Sequence, residues 1–277
     1  MAGNSNSFYI PNIVFFSGTR KEHAQDEFVQ EHVLTHVVAG ELRYSEADKE
    51  TIAKPGDTIL FRRNLLVKCE KRPHPDGSPF KVVNFILERL FLEQYAVKHN
   101  VKRAVIPPAH KPVLLLQPKA PLLGLLHSVY PYFGSPKPMS KDMLYHKLNE
   151  TILALLEQEE ELDSWLFGKS QEGKIDLGDF MQRNYMFNVP MTKFAELTGR
   201  SLSTFQRDFQ RIFGTNAAAW LLKRRLQAAH HAITTKQQKP VDIYLDLGFE
   251  DIAHFSRTFK NEFGYNPSRL KEVTAGK

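Results

Sequence analysis

Two rhythms of apolar residues divide this chain. From His32 to Leu87 the apolar positions come in short runs or alternate with polar ones, and turn residues break them every few positions. Val33-Leu34-Thr35-His36-Val37-Val38-Ala39-Gly40 predicts a buried strand running into a turn, and Glu41-Leu42-Arg43-Tyr44 alternates. Thr51–Ala53, Thr58–Phe61, Leu65–Cys69 and Phe80–Leu87 predict further strands. A polar turn at Glu46–Lys49, then Lys54-Pro55-Gly56-Asp57 and His74-Pro75-Asp76-Gly77, separate them. Short strands at this spacing predict a sandwich or small barrel. One strand, Ile13 to Phe16, is expected in the lead-in. After Leu87 the rhythm becomes helical: Arg89–His99, Pro121–Tyr132 and Lys141–Gln158 read as helices, and Val105–Pro118 as a proline-rich extended segment. The last helix carries Leu144, Leu148, Ile152, Leu155 and Leu156 on one stripe, which either packs on its own domain or faces a second copy.

The glycine after the first long strand and the Pro-Gly-Asp turn resemble a cupin barrel. Cupin enzymes hold a metal on clustered His and Glu. Here only His32 and His36 are candidates, on one face of a strand because they lie four apart. No third ligand is evident, so no metal is expected.

The stretch from Thr192 to Leu270 is one unit written twice, 50 residues apart. Leu197, Phe205, Arg207, Phe209, Phe213, Gly214 and Asn216 recur as Leu247, Phe255, Arg257, Phe259, Phe263, Gly264 and Asn266. Unrelated stretches of this length share roughly one or two identities, so the repeat is structural. In the first copy Phe194, Ala195 and Leu197 form a short apolar face, Thr198-Gly199-Arg200 breaks it, and Ser201 is placed to cap a second helix. Leu202, Phe205, Phe209, Ile212 and Phe213 line one side of that helix, and Gly214 ends it. In the second copy Ile243 and Leu247 lead to Gly248-Phe249, Asp251 is the cap, Ile252, Phe255, Phe259 and Phe263 form the face, and Gly264 ends it. A short helix, a tight turn and a longer one-sided helix make a helix-turn-helix. Between the copies Trp220, Leu221, Ala228, Ala229, Ala232 and Ile233 predict one long helix over Ala217–Thr234. Ahead of them, Asp176–Phe187 reads as a helix with Leu177, Phe180 and Met181 inward.

The sides away from the phenylalanines carry the chemistry. Ser203, Gln206, Arg207 and Gln210 fall there in the first long helix; Ala253, Ser256, Arg257 and Lys260 do in the second, with His254 beside them. A solvated face accounts for any one of these. Two arginines at the same register of two repeats point to the major groove, where Arg pairs with guanine and Gln with adenine. A spacer holding the two helices about 34 Å apart lets them enter successive grooves.

Charge sharpens this picture. Residues 1–175 hold 22 Lys/Arg against 21 Asp/Glu, whereas residues 176–277 hold 15 against 10, so the basic excess sits with the repeat, as a polyanion partner requires. The single cysteine, Cys69, excludes a disulfide framework and a four-cysteine zinc site, and suits a reducing cytoplasm. No basic-then-apolar leader and no run of 18 apolar residues occurs, so neither export nor membrane spanning is expected.

Residues 176–277 resemble the DNA-binding domain of the AraC/XylS family of bacterial transcription regulators. The residues carrying the likeness are Arg225-Leu226 with Ala229, Ile243, Gly248-Phe249, His254-Phe255-Ser256-Arg257, Phe259-Lys260 and Phe263-Gly264 followed by Pro267-Ser268. The resemblance implies that Ser203, Gln206 and Arg207 read bases in one groove, and Ala253, His254 and Arg257 in the next. Arg200, Ser201, Gln210, Arg211, Lys223, Arg224 and Lys260 are the expected phosphate contacts. Ile252 and Ala253 stand where the family commonly has polar readers, and Tyr244 replaces a usual alanine. The second helix is therefore expected to read less and grip phosphate more, with Ala253 available to a thymine methyl.

The expected architecture is two domains. A cupin-like β-barrel with helices for dimerisation and sensing covers 1–165, a linker 166–175, and an all-α double helix-turn-helix domain 176–277. The expected function is a cytoplasmic, sequence-specific DNA-binding regulator, an activator, free of cofactor. An effector or protein partner on the first domain would control it. The family also implies contact with RNA polymerase, and a homodimer is open. Two alternatives are a protein-interaction module and a cupin enzyme fused to a DNA-binding domain. No Ser-His-Asp cluster, phosphate loop or metal constellation supports an enzyme, and a methyl-accepting repair protein would need more cysteines.

Overall fold

The computed structural model describes residues 5–10, 12–22, 25–46, 49–101, 111–132, 135, 137, 139–159, 161–168 and 175–269. They fall into two units, Met1–Glu172 and Gly173–Lys277.

Among the described residues, the first unit opens with strands β1 (Ser5–Ile10), β2 (Ile13–Gly18), β3 (Gln25–Val29), β4 (His32–Ala39), β5 (Glu41–Glu46), β6 (Lys49–Ala53), β7 (Thr58–Phe61), β8 (Leu65–Arg72) and β9 (Phe80–Leu87). Helix α1 (Arg89–Lys98), strand β10 (Val113–Leu116) and helices α2 (Ala120–Val129), α3 (Lys141–Gln158) and α4 (Leu162–Phe167) follow. The strands form two sheets, in the orders β1-β2-β9-β4-β7-β10 and β3-β8-β5-β6, and neighbouring strands run antiparallel.

Alternation along β4 explains the layering. Leu34 packs with Phe15, Phe85, Leu125, Ile152 and Trp165 in a core between the larger sheet and the helices. Val37, three residues on and therefore on the opposite face, joins Tyr44, Ile59, Val67 and Val82 in a second core between the sheets. A strand covered on both faces reads as a near-continuous apolar run, and Val33–Ala39 does so apart from Thr35 and His36, which are buried polar residues.

His32 and His36 are structural. His32 is buried against the Trp165 ring, centroids 4.8 Å apart, and its Nδ1 accepts the Arg63 amide at 3.2 Å. His36 lies with Nδ1 2.9 Å from Thr58 Oγ1 and Nε2 2.8 Å from Tyr130 Oη. Burial, then the charges of Arg63 and Arg62, pushes His32 down to about 3; burial, then His127, pushes His36 down to about 4. Among the described residues no group of three His, Cys, Asp or Glu side chains is placed to hold a metal.

The stripe on α3 resolves to its internal alternative. Leu148, Ile152 and Leu155 are buried in their own unit's core, with Leu144 and Leu156 packed at its edge. Tyr145 and Leu153 are the exposed apolar residues of this helix's middle. The expected linker also begins late. Leu166 and Phe167 end α4 and are buried with Trp165, while residues 169–174 of that linker lie outside the described residues. The expected turn residues 47–48 and the first six residues of the extended segment, 105–110, also lie outside them.

The second unit is all helical: α5 (Leu177–Asn184), α6 (Met191–Leu197), α7 (Leu202–Phe213), α8 (Ala217–Thr235), α9 (Pro240–Ile243) and α10 (Ile252–Phe263), then a 3-10 turn at Pro267–Arg269. The helix expected over 176–187 is shorter at both ends. Asp176 caps α5 by accepting the Asp179 amide, and the helix stops at Asn184, three residues before buried Phe187. Among the described residues no helix is long and apolar enough to cross a membrane.

Candidate nucleic-acid interface

Two helices of equal length carry the duplicated pattern. In α7 the Ser201 hydroxyl accepts the Thr204 amide; in α10 the Asp251 carboxylate accepts those of Ala253 and His254. These donations, Ala253 first and then His254, hold the Asp251 carboxyl below the usual carboxylate range, and the His254 and Arg257 charges help. Both helices end on a glycine in the left-handed region, Gly214 at φ 69° and Gly264 at φ 84°. Phe205, Phe209, Phe255 and Phe259 are fully buried.

Helix α8 supplies one ring to each copy. Trp220 packs on Phe209 and Phe213, with centroids 5.7 and 4.7 Å away. His230 does the same for Phe259 and Phe263 at 6.2 and 4.7 Å, and its Nε2 lies 2.8 Å from Tyr265 Oη. The opposite faces are left to solvent. Ser203, Gln206 and Arg207 on α7 are exposed, as are Ala253, His254 and Arg257 on α10. Among the described residues no ion pair engages Arg207, Arg257 or Lys260.

The cations expected to meet phosphate divide into two groups. Gln210, Arg211, Lys223 and Lys260 are exposed, as is Ser201, whose hydroxyl is already the cap. Arg200 is turned inward. Its side chain is 7% exposed, Nε donates to Asp208 Oδ2 at 3.1 Å, and Nη1 donates to the Ile175 and Thr198 carbonyls. Three of the guanidinium's five N–H groups are thus committed to a carboxylate and two carbonyls, which leaves only Nη2 for a phosphate. Arg224 is half-buried, with Nε on Gln182 Oε1 at 3.2 Å and its guanidinium 4.8 Å over the Tyr185 ring.

Sequence reasoning missed the role of Arg225, quoted only for family likeness. Nε donates to the Tyr185 carbonyl at 2.8 Å, Nη2 to that of Phe187 at 2.8 Å and Nη1 to that of Gly248 at 3.0 Å. A usable signal was present in the repeat. The glycine of the first turn is Gly199 and that of the second is Gly248, so the turn runs at a 49-residue offset while the long helices after it run at 50.

Two one-sided helices, capped alike, braced by a common helix and presenting polar residues outward on a basic unit, define a DNA-binding protein of the double helix-turn-helix class, here following a β-rich unit. Residues 194–272 match a family model described as a helix-turn-helix domain, and residues 32–164 match one described as the ExsA N-terminal regulatory domain. This chain belongs to the AraC/XylS family of transcription regulators. It is 25% identical over 252 residues to the HTH-type transcriptional regulator ExsA of Pseudomonas aeruginosa, covering 85% of this chain and 84% of ExsA. It is 32% identical over 95 residues to the virulence regulon transcriptional activator VirF of Yersinia enterocolitica, about a third of each chain. Among solved structures, an apo single-residue variant of ToxT from Vibrio cholerae aligns over 95% of this chain and 98% of its own at a TM-score of 0.46 and 11% identity.

Proposed function

We propose that this sequence-specific transcription regulator acts as an activator by placing α7 and α10 in successive major grooves on one face of a duplex. Ser203, Gln206 and Arg207 read one half-site; Ala253, His254 and Arg257 read the other. Arg211, Lys223 and Lys260, with Gln210 and the Ser201 cap, meet the backbone. The observation that carries this reading is the repetition itself: Arg207 and Arg257 occupy the same register of two identically terminated helices, and both are exposed. Activation through RNA polymerase, and cytoplasmic residence with it, is supported by the relatives named as activators.

Control is assigned to the first unit. Between its sheets lies a cavity of about 430 Å³, lined by Val29, Val33, Phe61, Val67, Val82 and Asn84 among others, and large enough for a small effector. A homodimer, if one forms through α3, would use Tyr145 and Leu153, because the leucine stripe is already spent on the core.

Selection of bound duplexes from a random pool by the full chain tests the DNA reading. Two conserved half-sites about one helical turn apart are expected. Arg207→Ala should relax the bases of one half-site and Arg257→Ala those of the other, each at about 1–3 kcal/mol. Uniform loss across all sequences for both variants would leave the arginines as phosphate contacts and remove them as readers.

A further inference from the structure

Two recognition helices engage one duplex only if both their separation and their relative rotation suit it. Helix α8 sets the separation. A single helix does not by itself set how each helix-turn-helix is turned about it. What fixes that rotation must tie the first copy's surroundings to the second copy's turn.

Arg225 is such a tie. Its guanidinium gathers three backbone carbonyls: Tyr185 and Phe187, from the segment joining α5 to α6, and Gly248, from the turn between α9 and α10. The fork is planar and its donors point in fixed directions, so the three carbonyls are held in one arrangement. Gly248 is shaped to the same contact. It sits at φ +79°, and a Cβ there would lie 2.6 Å from the Met186 carbonyl oxygen and 2.8 Å from Arg225 Cζ. The equivalent turn in the first copy has its own left-handed glycine, Gly199 at φ 68°, with Thr198 just before it. Thr198 is buried, its hydroxyl donating to the carbonyls of Phe194 and Ala195 within its own helix. A second tie lies beside the first: Asn188 Nδ2 donates to Glu250 Oε1 at 2.6 Å, again joining the α5–α6 segment to the second turn.

We infer that Arg225, interlocked with Gly248, is a positioning residue that sets the half-site spacing this protein accepts. It touches no base. It acts through the angle between α7 and α10, and its chemistry selects duplexes whose two half-sites lie at one fixed separation. The inference rests on the two-groove reading above. When both helices engage, the second binding event is intramolecular and gains affinity from its high effective concentration; geometry that forbids simultaneous engagement loses that gain entirely.

The test uses the full chain, the duplex it selects, versions with one to four base pairs inserted between half-sites, and a duplex with a single half-site at low salt. Wild type should fall by about tenfold or more on insertion. Arg225→Lys should lose about tenfold on the selected spacing, bind the single half-site within about twofold of wild type, and discriminate less among spacings. Asn188→Ala, an exposed change that leaves the guanidinium in place, should broaden spacing tolerance in the same direction and by less. It serves as the reading if Arg225→Lys does not fold. Equal losses on single and paired half-sites would reduce Arg225 to a stability role. An unchanged spacing preference in the folded variants would overturn the interlock while leaving the two-groove reading in place. A wild-type chain indifferent to spacing would remove both.

Discussion

Single residues show how far side-chain identity predicts role. Arg200, Arg207 and Arg225 share a side chain and belong to one small unit, yet each does something different. Arg207 is left exposed on the outer face of α7. Arg200 is drawn inward by Asp208, eight residues on, and Arg225 by three carbonyls. The outward position of Arg207 was legible from helical spacing alone. The inward turn of Arg200 was not, because its partners, including the Ile175 carbonyl, are brought to it by the fold. The distinction is measurable. Lys260→Ala, removing an exposed phosphate contact, should flatten the slope of log K against log salt by about 0.9. Arg200→Ala should leave that slope unchanged and instead lower stability by about 1–3 kcal/mol, since it removes the hydrogen-bonded partner of a mostly buried carboxylate and leaves it Arg211 at 3.9 Å. A flattened slope for Arg200→Ala at unchanged stability would return it to the interface. Titrations of binding at several salt concentrations, with denaturant melts alongside, decide between these.

At the scale of elements, legibility followed position in the sheets. Strands β4, β5, β7, β8 and β9 were read from apolar runs and the turns between them. Strands β1, β3 and β10 were not read as strands, and all three lie at sheet edges; the edge strand that was read, β6, is the one set off by the Lys54-Pro55-Gly56-Asp57 turn. An edge strand is paired on one side only, and its sequence carries a weaker pattern: Gln25-Asp26-Glu27-Phe28-Val29 has a single apolar pair at its end. In the helical unit the 3.6-residue period, caps and terminal glycines reinforced one another, so α7 and α10 were placed to the residue. The bracing by α8 rests on ring packing, which sequence spacing does not disclose: Trp220 and His230 are unlike residues in like positions. Because Phe259 is fully buried beneath His230 and Phe255, Phe259→Ala should cost about 3–5 kcal/mol in chemical denaturation. A loss under about 1 kcal/mol would mean the α8–α10 packing is loose enough to refill the space.

Over the whole molecule, the two units are built to respond differently to acid. His32 and His36 are buried neutral in the first unit, at about 3 and 4 against an ordinary 6.5. Their pKa values are depressed on folding, so the unfolded chain takes up protons first as pH falls below 6.5. The first unit keeps its full stability above 6.5 and loses it progressively toward pH 4, by about 2 kcal/mol per histidine at pH 5. In the second unit the displaced group is Asp251, whose ordinary value is 3.8 and whose folded value is lower. The stability it contributes is present above pH 3.8 and is lost only as pH falls through the lower folded value. Between pH 6.5 and 4 the first unit should weaken while this cap holds. The chain has two tryptophans, Trp165 against His32 in the first unit and Trp220 against Phe213 in the second. Trp220→Phe leaves a reporter of the first unit and Trp165→Phe one of the second. Thermal melts of the two variants at pH 7.5 and pH 5 should show the Trp165 transition moving down further than the Trp220 transition. His36→Gln in the Trp220→Phe background should flatten the first shift. Equal shifts for both reporters would mean the buried histidines do not govern the acid response, and a larger shift at Trp220 would place the acid-labile group in the DNA-binding unit.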